Sequence, residues 1–353
     1  MNNLLKLFMS FWLFAGCLVV NAQQSNLVLH FPMEVAENSM IEELVSKQSF
    51  SVHGVLSPIC VKGVKGKAWR LDGYSSFFQA QINAQKWDDL SRLTFSLWVA
   101  PESYPMMKLD VDGEWFTTMA GNLKVSENNV PVDNSKGFAF QLGSRGTYAF
   151  IGYVKGQQIL LQPSDKLPRY QWNHLVVTVD THIRSVVMYN NGKEVASIKC
   201  SKGKFDMGDH ELYVGKAYND VKNGPFYLNT FNGLIDDFEV YAGINKNIIS
   251  EKTEEKPLLA YSSDRYANDI LRPSFHGMPS AGWTNETHGA FYDKGKFHVF
   301  FQKNPNGPYM SRLNWGHIVS DNLYKWYEVK TAISPEEWYD KKGCWSGCVF
   351  TDD

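Results

Sequence analysis

Residues 271–353 are crowded with aromatic rings, amides, histidines and carboxylates. Aromatic rings stack on the apolar faces of a sugar, while amide and carboxylate groups hydrogen-bond its hydroxyls. A carboxylate held in such surroundings can also serve as a nucleophile in glycoside chemistry. The residue types in this stretch therefore predict a carbohydrate site.

Five motifs follow one another in this stretch, at residues 272–276, 282–289, 297–305, 314–326 and 343–348. In order and spacing they resemble the opening of glycoside hydrolase family 32, which includes invertases, levanases and inulinases. The resemblance implies the first blade or so of a five-bladed β-propeller with a funnel-shaped site on its axis. In that family a floor carboxylate attacks the anomeric carbon of a terminal fructose. A second carboxylic acid, about 5–5.5 Å away, protonates the leaving oxygen, and configuration is retained.

The resemblance also assigns roles to individual residues. It places Glu286 at the nucleophile position and Asn285 beside it as a sugar-binding amide. The remaining positions implied to bind substrate are Gln302 and Trp315, which contact the fructose, and Trp345 and Ser346, which line the pocket.

The first motif departs from the family pattern Trp-Met-Asn-Asp-Pro-Asn-Gly. Thr284, Glu286, Thr287 and His288 stand at positions where the family has Met, Asp, Pro and Asn. Glutamate is one methylene longer than aspartate, and covalent attack requires placement to about an ångström. Three outcomes stay open: a shifted but active site, a changed substrate, or a lost activity.

The family carries its transition-state stabiliser in an Arg-Asp-Pro motif and its acid/base in a Glu-Cys motif. The chain contains neither an Arg-Asp nor a Glu-Cys pair. A general acid is needed to expel the leaving sugar. We therefore expect a truncated propeller start, inactive by itself and the N-terminal portion of a longer enzyme.

Before this stretch, short alternating runs separated by turn residues predict an all-β fold. Clear examples are residues 94–99, 138–142, 174–179 and 185–189. Asn190-Asn191-Gly192-Lys193 then predicts a tight hairpin turn. Strands spaced in this way predict a β-sandwich or jelly roll.

The motifs at residues 69–73, 95–99, 172–177, 189–192 and 231–237 resemble the laminin-G/concanavalin-A-like lectin superfamily. The resemblance covers about residues 27–245 and implies a fold. It leaves function open, because such modules bind sugars, bind proteins or space domains. We expect Trp69, Trp98 and Trp172 to pack in the core rather than to stack on sugars.

Asp236 and Asp237 are the only positions for which the resemblance suggests a metal. They could help to hold a structural calcium ion, as in some relatives. Alternatively, they cap a closing turn before the last strand, which we favour because a calcium site needs several more oxygen ligands. No other cofactor is expected.

The predicted organisation has four parts. Residues 1–22 form a cleavable signal peptide, with a lipoprotein signal at residues 14–17 as the alternative. Residues 24–245 form the sandwich, residues 246–260 a linker, and residues 261–353 the propeller start. We expect a secreted, periplasmic or cell-surface protein, in which Cys60 and Cys200 could form a disulfide.

The charge balance bears on the partner. Lys and Arg number 35 and Asp and Glu 37, for a net charge of −2. Such a chain offers no basic field for nucleic acid, and beyond the signal peptide no apolar run is long enough for a membrane span. The expected partner is an oligo- or polysaccharide, fructan-like by resemblance. The alternatives are a non-catalytic carbohydrate-binding protein and an adhesion or scaffolding protein.

Overall fold

The computed structural model describes residues 26–36, 38–82, 91–105, 115–125, 131, 136–350 and 352. The predicted signal peptide and its lipoprotein alternative lie outside these residues. Within the described ranges, no helix has the length and apolar character needed to cross a bilayer.

The larger part of the described chain is built from short strands. In chain order they are β1 (Leu27–Phe31), β2 (Met40–Glu43), β3 (Gln48–His53), β4 (Ile59–Lys62), β5 (Lys67–Asp72), β6 (Phe77–Ala80), β7 (Arg92–Ser103), β8 (Phe116–Gly121), β9 (Ala139–Gly143), β10 (Tyr148–Val154), β11 (Gln157–Leu161), β12 (Asn173–Asp180), β13 (Ser185–Asn190), β14 (Lys193–Lys199), β15 (Leu212–Val214), β16 (Lys222–Asn223), β17 (Phe226–Tyr227) and β18 (Asn232–Ala242).

Two antiparallel sheets pack face to face. One has the order β14-β13-β12-β7-β18-β5-β4, with β1 also paired to β18, and the other has the order β11-β10-β9-β8-β15-β6-β3-β2. Their inner faces share one apolar core, in which the ring of Phe95 lies 4.7 Å from that of Phe138 and 5.3 Å from that of Phe150. The predicted sandwich is confirmed.

Two local predictions for the sandwich, the hairpin turn and the buried tryptophans, are also confirmed. Asn191 and Gly192 have φ values of 49° and 76°, as a tight turn between β13 and β14 requires. Trp69 and Trp98 are 1% exposed and Trp172 is 4% exposed, so their prediction as packing residues is confirmed.

The predicted linker starts with a single helical turn and then runs over the sandwich. Helix α1 (Lys246–Ile249) is capped by the Asn245 side chain. Further on, Leu259 packs with Trp98 and Trp172 on the outer face of the first sheet. The linker is therefore fixed to the sandwich along part of its length.

A separate four-stranded antiparallel sheet follows. It consists of β19 (Trp283–Asp293), β20 (Lys296–Asn304), β21 (Asn314–Ser320) and β22 (Tyr327–Glu328), paired in that order. Four strands that neighbour each other in sequence and in space form the blade of a propeller. The sheet expected of a first blade is confirmed, and the propeller itself stays a prediction.

The loop between β20 and β21 anchors this blade to the sandwich. Asn306 in that loop is 1% exposed; its amide donates to the Tyr104 carbonyl at 2.9 Å and accepts from the Ser103 hydroxyl at 2.7 Å. Tyr309 stacks on Phe226 with ring centroids 5.1 Å apart. Sandwich and blade thus share a buried, partly polar interface.

The suggested disulfide is wrong, since Cys60 and Cys200 are both free thiols. Cys60 lies on β4 at one edge of the first sheet, and Cys200 follows β14 at the opposite edge. Five strands separate the two edges, at about 4.8 Å each, whereas a disulfide needs Cα atoms within about 7 Å.

We predict that Asn306→Ala lowers the free energy of unfolding of the chain by about 2–3 kcal/mol. The substitution leaves the part-buried Tyr104 carbonyl without its donor and the buried Ser103 hydroxyl without its acceptor, although Ser103 still accepts from Asn232. Unsatisfied buried groups are costly. Urea unfolding measures the change. Asn223→Ala, at an exposed position on β16, is the control and should stay within about 0.5 kcal/mol of wild type. Equal effects of the two substitutions would contradict the interface.

Candidate active site

A bulge in β19 brings Asn285 and Glu286 to the same partner. Thr284 pairs with Lys303 and Thr287 pairs with Phe301, so Asn285 and Glu286 together face one residue of β20. A bulge of this kind re-aims a side chain that regular pleating would send to the other face. The residue they face is Gln302.

Gln302 links the two side chains. It is 2% exposed, whereas Asn285 and Glu286 are exposed. The Asn285 amide donates to Gln302 Oε1 at 3.1 Å, and Gln302 Nε2 donates to Glu286 Oε1 at 3.2 Å. A buried amide thus orients an exposed carboxylate.

Ser346 completes this arrangement from a distant part of the chain. Its hydroxyl donates to Glu286 Oε1 and accepts from Gln302 Nε2 at 3.4 Å. Four of the six predicted site residues are therefore connected by hydrogen bonds: Asn285, Glu286, Gln302 and Ser346.

The two predicted tryptophans have different surroundings. Trp315 is 8% exposed, and its indole N–H donates to the Trp345 carbonyl at 2.7 Å. The Trp345 ring itself is 49% exposed. Trp315 is thus buried and hydrogen-bonded to the backbone of the 345–346 segment. The Trp345 ring is the more accessible of the two for stacking on a sugar.

His288 is a neighbour whose place in the site the sequence did not reveal. Its ring lies 4.1 Å from that of Trp315, and both of its ring nitrogens are shielded with no hydrogen-bond partner. Burial lowers the pKa of His288, although the charge of Glu286 acts in the opposite direction. The imidazole is therefore neutral at pH 7. The one feature of the sequence that could have indicated its place in the site is its position two residues after Glu286.

The next residue of β20 points to the opposite side. Lys303 is 3% exposed and forms an ion pair with Glu328, whose other oxygen accepts from the Ser280 amide at 2.7 Å. Burial lowers the pKa of Lys303, but the carboxylates of Glu328 and Glu102 outweigh it and the net pKa is raised. Because Glu102 belongs to the sandwich, β20 faces the site with one residue and the interface with the next.

Two cavities of about 650 and 630 Å³ lie along this interface, and Tyr261 and Ser280 line both. Neither is lined by Glu286. Arg70 and Arg265 approach the Tyr261 ring at 4.7 and 4.4 Å. The contact of Arg70 with Tyr261 joins the sandwich to the segment that follows the linker.

A second cluster of ionisable groups lies in the sandwich, around the residues for which calcium was considered. Asp236 and Asp237 lie within β18, at a register shift, and Asp237 has φ 51°. The expectation that they cap a turn before the last strand is therefore wrong. Asp236 Oδ2 instead accepts from the backbone amides of Val64 and Lys65 at 2.7 and 3.0 Å.

Asp237 lies in a group that resembles a metal site in its residue types. His30, Asp237 and Glu239 place one ligand atom each within 4.8 Å of one another. Calcium prefers six to eight oxygen ligands. Here one donor is an imidazole nitrogen, and the Lys65 ammonium lies 2.7 Å from Asp237 Oδ2. These residues do not fit a calcium ion.

Comparison with known proteins agrees with the two-part architecture. Residues 276–353 match the family model "Glycosyl hydrolases family 32 N-terminal domain". Residues 73–244 match that of the "Concanavalin A-like lectin/glucanases superfamily". Both resemblances seen in the sequence are confirmed: one part of the chain matches the concanavalin A-like model and a later part matches the family 32 N-terminal model.

Among curated relatives, an insoluble β-fructofuranosidase of Arabidopsis thaliana is 33% identical over 122 residues, which is 35% of this chain and 19% of the relative. The raffinose invertase of Escherichia coli is 40% identical over 81 residues, 23% of this chain and 17% of the relative. The chain therefore spans less than a fifth of the length of these relatives.

Solved structures resemble the chain more distantly. The binding domain of Paraclostridial Mosquitocidal Protein 1 has a TM-score of 0.46 and 16% identity, and covers 86% of this chain and 72% of that one. Domain 4 of the arabinanase AbnA from Geobacillus stearothermophilus has a TM-score of 0.40 and 18% identity, and covers 64% and 97%.

We predict that Gly347→Ala displaces the Trp315 ring. A Cβ at position 347 would lie 2.7 Å from Trp315 Cζ2, and a rigid ring can relieve the overlap only by moving. Overpacking of this kind costs about 1–3 kcal/mol. Near-ultraviolet circular dichroism and urea unfolding report both effects. Gly54→Ala, whose Cβ would be 3.2 Å from its nearest neighbour, is the control. An unchanged spectrum for Gly347→Ala would contradict the packing.

We also predict that Asp236 makes the sandwich less stable as pH rises. Burial raises the pKa of Asp236 to about 7. A group that holds its proton more tightly when folded contributes stability at low pH, and this is lost as pH rises through the folded pKa. When the pH rises from 5 to 8.5, the free energy of unfolding of Asp236→Asn should fall by about 1–3 kcal/mol less than that of wild type. Parallel pH curves for the two proteins would rule this out.

Proposed function

We propose that this chain is the N-terminal portion of a secreted glycosidase that hydrolyses fructosyl bonds in fructans or sucrose-like substrates. The family 32 match over residues 276–353 and the β-fructofuranosidase relatives support this class of reaction. The signal peptide predicted at residues 1–22 supports export.

One observation carries the assignment of Glu286 as nucleophile. Gln302 and Ser346 both donate to the same oxygen, Oε1. The second oxygen, Oε2, is thereby left to attack the anomeric carbon of a terminal fructose in a retaining, two-carboxylate mechanism. The Asn285 amide stands beside it, where it can hydrogen-bond a sugar hydroxyl.

The mechanism requires a second carboxylic acid to protonate the leaving oxygen. The family carries this acid in a Glu-Cys motif, and the chain has no Glu-Cys pair. We therefore propose that these 353 residues hold the nucleophile half of the site and do not hydrolyse substrate by themselves.

A second candidate is non-catalytic carbohydrate binding. The exposure of Glu286 and the glutamate in place of the family's aspartate favour it, because a binding carboxylate tolerates a methylene of displacement better than a nucleophile does. The concanavalin A-like domain would then be the main binding module.

We predict that Glu286→Gln abolishes hydrolysis of inulin, levan and sucrose by the full-length gene product, with a loss of at least about 1,000-fold in kcat/KM. The amide keeps the shape of the side chain but cannot form the glycosyl-enzyme ester. Glu286→Asp keeps the carboxylate about an ångström further back and should lose less, about 100-fold.

Glu337→Gln, at a half-exposed carboxylate paired with Lys166, is the matched control and should retain full activity. Equal hydrolysis by wild type and Glu286→Gln would remove Glu286 as nucleophile. Absence of hydrolysis in all proteins, with glycan binding retained by the 353-residue chain, would favour the second candidate.

A further inference from the structure

We infer that Lys65 is a tethered cation that takes the place of a metal ion in the sandwich, so that the domain holds its shape without a divalent metal. The relevant residues, here called the β18 cluster, are His30, Lys65, Asp237, Glu239 and Glu251. The inference concerns the stability of the sandwich and does not depend on the proposed glycosidase activity.

The Lys65 ammonium lies at the centre of the β18 cluster. Its Nζ is 2.7 Å from Asp237 Oδ2, 3.3 Å from Glu239 Oε2 and 3.1 Å from Glu251 Oε2. The ammonium thus forms ion pairs with three carboxylates and donates a hydrogen bond to that of Glu239. Asp237 and Glu239 are 3% and 7% exposed, and such carboxylates require a compensating charge nearby.

The imidazole of His30 occupies the other side of Asp237. Its Nε2 lies 2.5 Å from Asp237 Oδ1 and 4.0 Å from Glu239 Oε1. The same atoms form the only group of metal-ligating types found among the described residues. Asp237 Oδ1 is thus hydrogen-bonded to His30, and Oδ2 is paired with the Lys65 ammonium. A metal ion drawn to these atoms would also be repelled by the ammonium a few ångströms away.

Backbone hydrogen bonds, which do not involve the ammonium group, position Lys65. Asp236 accepts the backbone amides of Val64 and Lys65, which fixes the β4–β5 hairpin against β18. Gly63 permits this approach, because a Cβ there would lie 2.4 Å from Asp236 Oδ2. Asp236 therefore holds the hairpin backbone, and the adjacent Asp237 receives the side chain that the hairpin carries.

The first test uses the wild-type chain. After dialysis against a metal-free buffer, elemental analysis should find less than about one-tenth of a divalent ion per chain. Thermal unfolding with 5 mM EDTA, with 1 mM Ca²⁺ and with 1 mM Zn²⁺ should give the same Tm as buffer alone, within about 1 °C. A bound stoichiometric metal, or a Tm lowered by EDTA, would overturn the inference.

The second test removes the cation. Lys65→Met leaves Asp237 and Glu239 without their ammonium and should lower the Tm by about 5 °C. The freed His30, Asp237 and Glu239 then suit zinc, which accepts nitrogen and carboxylate ligands. We expect 1 mM Zn²⁺ to recover at least half of the lost Tm in this variant and to leave wild type unchanged.

Two further variants separate charge from general damage. Lys65→Arg keeps the positive charge and should retain a higher Tm than Lys65→Met. Lys62→Met removes an exposed lysine of the same hairpin, paired with Glu255, and should change the Tm by less than about 1 °C without any effect of Zn²⁺. If Zn²⁺ fails to stabilise Lys65→Met, Lys65 does not stand at a cation position and the inference is wrong. If Lys65→Met does not fold, the wild-type chelation result decides.

Discussion

The geometry of the candidate site depends on one buried amide, that of Gln302. Its oxygen receives the Asn285 amide, and its nitrogen reaches both Glu286 and Ser346. A primary amide is suited to this because it carries an acceptor and two donors in one plane. Gln302 is buried in β20 while its partners are exposed. The strand that carries Gln302 therefore orients the exposed groups.

The same strand also joins the blade to the sandwich. Gln302 faces the site, and Lys303 faces Glu328 and the sandwich carboxylate Glu102. The loop that follows β20 inserts Asn306 between Ser103 and Tyr104. Alternation along one strand therefore couples the position of the candidate nucleophile to the packing of the domain that precedes it in the chain.

Features that depend on neighbouring residues were predictable from the sequence, and those that depend on distant partners were not. The turn at Asn191 and Gly192 and the runs that became β7, β12 and β13 follow from local conformational preferences. The bulge that turns Asn285 and Glu286 towards Gln302 is set by pairing with β20 and has no local signature. The contact of Lys65 with Asp237 joins residues that are far apart in the sequence. The sequence drew attention only to the adjacent Asp236 and Asp237 and gave no sign of their lysine partner.

The insertion of Asn306 into the sandwich limits how this architecture can be recombined. A different sandwich of the same fold, fused to the N-terminus of the same blade, would have to reproduce the hydroxyl of Ser103 and the carbonyl of Tyr104 at the docking surface. Without them, the exchanged chain would bury an amide with no partner. Evolution or engineering by domain shuffling would therefore have to transfer the two parts together, or rebuild the docking surface with each exchange.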